Sequence, residues 1–306
     1  MSTLVIVNPG ATTAHPHVLG TVVEAFASSD EVRVRATEAR GHARDVARRA
    51  LHDGTDAVIV VGGDGTVNEV VNGLMADLID HPRPVLGVVP AGHTNVLSRT
   101  LGFPNEPVEA TSMLLEALRE GRTRTIGLGR VDGRYFCCSA GLGLDAEVLA
   151  RVEHLRARGA RASIPLYVAT AIVAQAAAAL GGRPGLSVDF ADRESITDVY
   201  TVIVQNAPVW TYFGGLSVTF APEVDLEAGL AVYGLRSLDP ISLSNHLALA
   251  ALRPSRLGTE AGASDIDAFT VRSEAPVPLQ VDGDLVGDRT EVRFESVREA
   301  LRVLTP

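Results

Sequence analysis

Short β-branched runs alternate with amphipathic stretches along the first part of the chain: residues 4–7 precede 17–27, 32–36 precede 41–52, 57–61 precede 67–79, and 85–89 precede 94–101. This βαβα rhythm predicts an α/β domain whose mostly parallel sheet is covered by helices, with ligands bound beyond the carboxyl ends of the strands. Near Gly121 the pattern changes. Runs at 124–131, 135–139, 186–190, 199–204, 217–220, 230–233, 268–271, 279–281 and 291–294 read as strands joined mostly by turns. They predict a predominantly antiparallel, β-sandwich-like second domain, interrupted by helical stretches at 145–180 and 240–251. The expected organisation is a first domain over 1–122, a β-rich domain over 123–306 and a cleft between them, without a long linker or repeat.

Within the first domain the segment from Val58 to Gly73, Val-Ile-Val-Val-Gly-Gly-Asp-Gly-Thr-Val-Asn-Glu-Val-Val-Asn-Gly, sets a strand, a glycine turn and a helix start in succession. Glycines at 62, 63 and 65 let the backbone approach a phosphate, and the N–H groups opening the next helix face an anion along a favourable dipole. Asp64 beside phosphate oxygens implies an intervening divalent cation, so the motif suggests a nucleotide carrying Mg²⁺. A tight strand-to-helix turn capped by Asp64 or Thr66 is the competing reading. The loops Asn8-Pro9-Gly10-Ala11-Thr12 and Pro90-Ala91-Gly92-His93-Thr94-Asn95 follow the first and fourth strands, which places all three loops on one sheet edge. Each of these two alone is compatible with ordinary turn and cap chemistry.

Composition then removes several classes. The chain of 306 residues has no lysine, so all 27 basic residues are arginine, and chemistry that requires an amine is excluded: Walker A loops, protein-kinase strand lysines, Schiff-base and pyridoxal-phosphate catalysis. A G+C-rich coding sequence is the plain explanation for the bias. Net charge of -10 gives no footprint for nucleic acid. Cys137 and Cys138 are adjacent, which disfavours a disulfide between them and fits a reducing compartment. The first apolar run, residues 4–7, is far too short for a signal-peptide core, and the chain reads as cytoplasmic.

Taken in order, Asn8-Pro9, the Gly62 to Gly73 block, Pro90 to Asn95 with Arg99 and Leu101-Gly102, Gly141 to Asp145, Asn206, Gly214-Gly215, Ala221-Pro222 and Asp282-Gly283 resemble the diacylglycerol kinase catalytic-domain family of soluble lipid kinases, which includes the sphingosine kinases. The resemblance implies ATP and Mg²⁺ as cofactors, transfer of the γ-phosphoryl to a lipid hydroxyl, and a last strand returning to the first domain. It implies nucleotide contacts at Asn8, Thr37, Gly62, Gly63, Asp64, Gly65, Thr66, Asn68, Gly92, His93, Thr94 and Asn95. It also places a catalytic group in Asp64, Asp282 and Asp284, with Asp284 as proton acceptor where the family usually has Glu. His93 stands where Thr is common, and Ala228-Gly229 replaces an Asp-Gly pair that serves a structural Mg²⁺ in bacterial members, so no metal site is predicted there. Without the family, Asp282-Gly283-Asp284 reads as a hairpin turn.

The basic stretch Arg151, Arg156, Arg158 and Arg161 leads into an apolar segment at 164–180, which reads either as a surface for an anionic membrane or as a core helix with a solvated approach. Asp145, in Gly141-Leu142-Gly143-Leu144-Asp145-Ala146, is expected to face the cleft. The same segment matches a dinucleotide fingerprint, discounted because no second βα unit follows. Expected partners are a lipid substrate and the periphery of an inner membrane surface, with no nucleic acid and with a homodimer left open. An NAD or nucleotide kinase, and a non-catalytic nucleotide- or lipid-binding relative, are the alternative functions.

Overall fold

The computed structural model describes residues 1–11, 16–27, 32–158, 166, 170, 173, 185–236 and 261–306. Two compact units divide them: the first holds residues 1–128, 134–137 and 298–306, the second 129–133 and 138–297.

The first unit runs β1 (Thr3–Val7), α1 (Pro16–Ala27), β2 (Val32–Ala36), α2 (His42–Ala50), β3 (Ala57–Gly62), α3 (Asp64–Leu74), β4 (Val85–Pro90), α4 (Val96–Thr100) and α5 (Pro107–Glu120). β1 pairs with β2 and β3, and β3 with β4, all in parallel. Strands covered on both faces are apolar throughout, and β1 and β3 are buried at every position. Glycine permits the closest packing. On Gly87 of β4 a Cβ would lie 2.6 Å from Ile59 Cδ1 and 2.9 Å from Leu304 Cδ1.

Two helices depart from the sequence reading. α3 starts at Asp64 rather than 67, because Gly63 in extended conformation already serves as its N-cap, and it ends at Leu74 rather than 79, with Met75 as its C-cap. α5 was not expected from the strand and helix alternation, although its punctuation is complete: the Glu106 side chain accepts from the Glu109 N–H, proline opens the first turn, and Gly121 closes the helix at φ 67°.

β5 (Thr123–Val131) carries the chain from the first unit into the second, and β6 (Arg134–Phe136) lies in the first again. The second unit comprises β7 (Ser139–Gly143), α6 (Leu144–Ala157), β8 (Leu186–Phe190), β9 (Ile196–Val199), β10 (Thr201–Gln205), β11 (Thr211–Phe213), β12 (Leu216–Val218), β13 (Leu230–Leu235), β14 (Ala261–Ile266), β15 (Ala268–Val281) and most of β16 (Asp284–Leu304). Its strand order β14-β13-β10-β7-β15-β16 is antiparallel throughout. β8 adds to β15, and β9 to β8. β11 and β12 form a separate hairpin. Phe269 stacks on Phe294 with ring centroids 5.2 Å apart, fixing β15 to β16 from the side-chain face.

The runs at 268–271 and 279–281 belong to one strand, β15, and 291–294 lies inside the 21 residues of β16. Pro276 and Pro278 interrupt the alternation that would have joined the first two. The structure accommodates them with a register shift between Arg272 and Val277, the kind of irregularity at which a strand tolerates proline. Of the predicted helix at 145–180, α6 covers the beginning, and Leu166, Thr170 and Val173 are helical; the rest, with Arg161, lies outside the described residues, as do Thr12 and the predicted helix at 240–251. Among the described residues no helix is long and apolar enough to cross a membrane. Both cysteines are buried free thiols.

Candidate active site

The carboxyl ends of the parallel strands set the candidate loops side by side. Backbone hydrogen bonds extend the ladder just past the strands: Asn8 N–H donates to the Val61 carbonyl at 2.9 Å, Thr37 N–H to Val7 at 2.8 Å, and Ala91 N–H to Gly62 at 3.0 Å. Asn8, Thr37, Gly62 and Ala91 therefore open their loops from one sheet edge.

The glycines have separate tasks. A Cβ on Gly62 would sit 2.8 Å from Thr66 Cβ, so glycine there admits the Thr66 side chain. Gly63 packs against Gly92 of the next loop; a Cβ on Gly63 would lie 2.9 Å from Gly92 Cα, and no side chain fits between them. Gly65 differs, since a Cβ there would meet nothing within 4 Å. Gly63 also offers the first-turn N–H groups of α3 no side-chain cap. The turn is thus crowded toward its neighbouring loop and open at Gly65.

Asp64 binds the two loops together. It stands in the first turn of α3, its Oδ2 accepting the Thr94 hydroxyl at 2.6 Å and its Oδ1 the Val96 N–H at 2.7 Å, at the start of α4. Burial pushes the Asp64 carboxyl above the usual carboxylate range, opposed first by the Thr94 hydroxyl and then by the N–H groups of Val96, Asn95 and Leu97. Two helix amino termini converge on one carboxylate, the polarity that each favours.

The amides nearby are occupied. Asn8 Nδ2 donates to Thr66 Oγ1 at 2.8 Å while its Oδ1 accepts the Gly10 N–H at 2.9 Å. Asn95, at φ 49°, accepts from the Gly92 N–H and donates to the Gly92 carbonyl and to Asn105 Oδ1. Asn68 points away from the turn: Nδ2 donates to the Tyr135 carbonyl, and Oδ1 accepts from the Arg134 guanidinium and from Asn72. Asn68 and Asn95 are buried. His93 is exposed beside Thr94. The partners Asn105 and Arg134 were not legible as part of this site, because each reaches it from another element, whereas Asn72 lies one turn after Asn68 on α3 itself.

In the second unit Asp282 and Gly283 make a two-residue hairpin between β15 and β16, with φ 47° and 82° and with Val281 paired to Asp284. Positive φ at both central positions is the demand of the tightest hairpin turn, which Asp-Gly meets. Asp282 does more than turn the chain. Its Oδ1 accepts the Cys138 and Ser139 N–H groups at 2.9 and 3.1 Å. Asp284 follows as the first, partly exposed residue of β16. Asp145 opens α6 with Gln280 Nε2 donating to its Oδ2 at 2.8 Å; burial pushes this carboxyl up to about 6, against the opposing pull of the Gln280 amide.

Against known proteins, residues 2–131 match the diacylglycerol kinase catalytic domain model. A diacylglycerol kinase of Bacillus subtilis (strain 168) is 42% identical over 113 residues, which are 37% of this chain and 35% of that protein. One from Staphylococcus aureus (strain NCTC 8325 / PS 47) is 41% identical over 107 residues, 35% of this chain and 31% of that one. The match thus spans about a third of the length of these relatives. Over the whole chain, the crystal structure of a putative diacylglycerol kinase from Bacillus anthracis str. Sterne shares the fold, with a TM-score of 0.78 at 22% identity, covering 100% of this chain and 97% of that one. A second structure, of a diacylglycerol kinase from the same strain, gives 0.74 at 20% identity with the same coverage. The glycine turn and the four loops on one sheet edge lie within residues 2–131, the stretch that is similar to the diacylglycerol kinase catalytic-domain family.

Proposed function

We propose that the protein is a lipid kinase that transfers the γ-phosphoryl of Mg-ATP to the hydroxyl of diacylglycerol or a related lipid. The observation that carries this reading is the turn at 62–66, closed on the Gly92 loop and open at Gly65, within the stretch similar to that family. An open glycine within the uncapped first turn of a helix suits a polyphosphate, because backbone donors approach the oxygens without a side chain between. Asn8, Thr37, Gly62, Gly63, Gly65, Thr66, Gly92, His93 and Thr94 supply the surroundings, and Asn68 and Asn95 brace them.

Asp64 takes a different part from the one its sequence context suggests. Both of its oxygens accept hydrogen bonds from the 94–96 loop, so it holds that loop against the turn. Among the described residues no three or more His, Cys, Asp or Glu side chains gather to hold a metal ion. The donor set fits Mg²⁺ arriving on the triphosphate, as this ion prefers, with Asp64 as the nearby carboxylate. When bound it neutralises charge on the phosphoryl oxygens.

Asp284 is the proposed proton acceptor. A carboxylate near the acceptor hydroxyl orients it and takes its proton, help worth about 10²- to 10⁴-fold. Asp282, whose carboxylate is clamped by two backbone N–H groups, fixes the turn from which Asp284 projects.

The test is transfer of labelled γ-phosphate from Mg-ATP to diacylglycerol, monoacylglycerol, ceramide and sphingoid bases in mixed micelles, with NAD as a soluble comparator. A labelled lipid, lost in Asp64→Asn, supports the proposal. Label on NAD alone overturns the lipid assignment, and ATP binding without label on any acceptor points to a non-catalytic relative.

A further inference from the structure

Gln280 is a buried amide in a strand that otherwise presents apolar side chains at this place: Leu279 and Val281 are fully buried, and Gln280 is 4% exposed. Its two ends have different partners. Oε1 accepts the Gly283 N–H at 3.0 Å, and since a backbone N–H can only donate, the orientation of the amide is fixed. Nε2 then faces Asp145 and donates to its Oδ2 at 2.8 Å.

The neighbouring strand makes room for this pair. Gly141 of β7 is the register partner of Gln280. A Cβ at 141 would collide with Asp145 Oδ2 and lie 3.2 Å from Gln280 Nε2. The glycine that resembled part of a dinucleotide fingerprint therefore admits a carboxylate and an amide into the sheet interior. On the other side of the turn, Asp282 Oδ1 holds the Cys138 and Ser139 N–H groups. The turn is pinned at both of its central residues, and Asp284 comes directly after the pins.

We propose that Gln280 is a positioning residue for Asp284, holding the Asp282-Gly283 turn by its carbonyl while its amide nitrogen is locked to Asp145; the inference rests on the assignment of Asp284 as proton acceptor. The carboxylates nearest this arrangement in sequence and hydrogen bonding are Asp145, Asp282 and Asp284. An amide is the group the place requires. Glutamate would keep an oxygen for Gly283 but would set a second carboxyl against Asp145, a contact that holds only while the pair retains a proton.

The experiment uses the full chain with Gln280→Leu, which removes both hydrogen bonds, and Gln280→Glu, which makes them depend on a proton. The first readout is phosphoryl transfer from Mg-ATP to diacylglycerol micelles from about pH 5.5 to about pH 8.5. Gln280→Leu should lower kcat about 10- to 100-fold with the KM for ATP within about twofold, since misplacing a reacting group costs rate rather than nucleotide binding. Gln280→Glu should approach wild-type kcat at the acid end and lose it as pH rises, with a slope absent from wild type. The second readout is amide hydrogen exchange at Gly283, which should accelerate at least about tenfold in Gln280→Leu.

Wild-type kcat in Gln280→Leu, a Gln280→Glu profile parallel to wild type, or unchanged exchange at Gly283 would each overturn the proposal. Failure of the kinase reading is separable: a wild-type chain that labels no acceptor removes the catalytic part, and exchange at Gly283 then decides whether Gln280 pins the turn.

Discussion

Asp64 and Asp145 are carboxylates drawn from water in different units, and their surroundings solve the same problem unequally. Asp64 meets a hydroxyl and a run of backbone N–H groups at a helix start, whereas Asp145 has one amide, that of Gln280. Burial raises both. The difference teaches that a carboxylate surrounded by donors acts as a fastener, while one with a single donor carries a poorly balanced charge whose protonation state is set near neutral pH.

The sharpest break in the comparison comes from Asp284, a partly exposed carboxylate. Asp284→Asn should reduce kcat by about 10²- to 10⁴-fold. Normal turnover in that variant would end its assignment as base.

Asp145 should show its charge in the pH dependence of stability. A carboxyl raised from 3.8 to about 6 keeps its proton in the native state after the unfolded chain has lost it. Stability is therefore greatest below the unfolded value and declines as pH rises through about 6, by about 3 kcal/mol in all. In Asp145→Asn the decline should flatten, leaving the variant more stable than wild type at pH ~8 and nearly equal at pH ~4. Urea unfolding across that range measures it. A slope as steep as that of wild type would assign the decline to other groups.

Asp64→Ala should act oppositely, destabilising by about 2 kcal/mol, because the Thr94 hydroxyl and the Val96 N–H lose their acceptor. Asp64→Asn, which keeps one acceptor oxygen, should fall between that variant and wild type in a thermal melt. The smallest effect expected is from Gly63→Ala, which forces the Gly92 loop aside and costs about 1 kcal/mol; unchanged stability there would mean that the two loops yield more easily than their contact implies.

The order of strands and helices in the first unit as far as α4 could be read from the chain because periods of 2 and 3.6 are local properties, and so could the glycine turn. What could not be read are the cross-links. Nothing near Asp64 announces Thr94, and nothing near Asp282 announces the Cys138 and Ser139 N–H groups, 144 and 143 residues away. Asp282-Gly283-Asp284 admitted a hairpin reading and a chemical one, and the turn geometry makes the first true without displacing the second. Gln280 carried a usable signal: a polar residue at a strand position flanked by apolar ones, just before a tight turn. The missed helix at Pro107–Glu120 had its signals at the ends, not in the periodicity.

The parallel pairing of Val303 with Leu86 gives the first unit a strand edge completed by residues 298–306. During synthesis, β4 leaves the ribosome long before those residues exist, so the nascent first unit waits with an unpaired edge while the entire second unit is made. A nascent chain stalled before residue 298 should remain accessible to protease at β4 and become resistant once the remaining residues emerge.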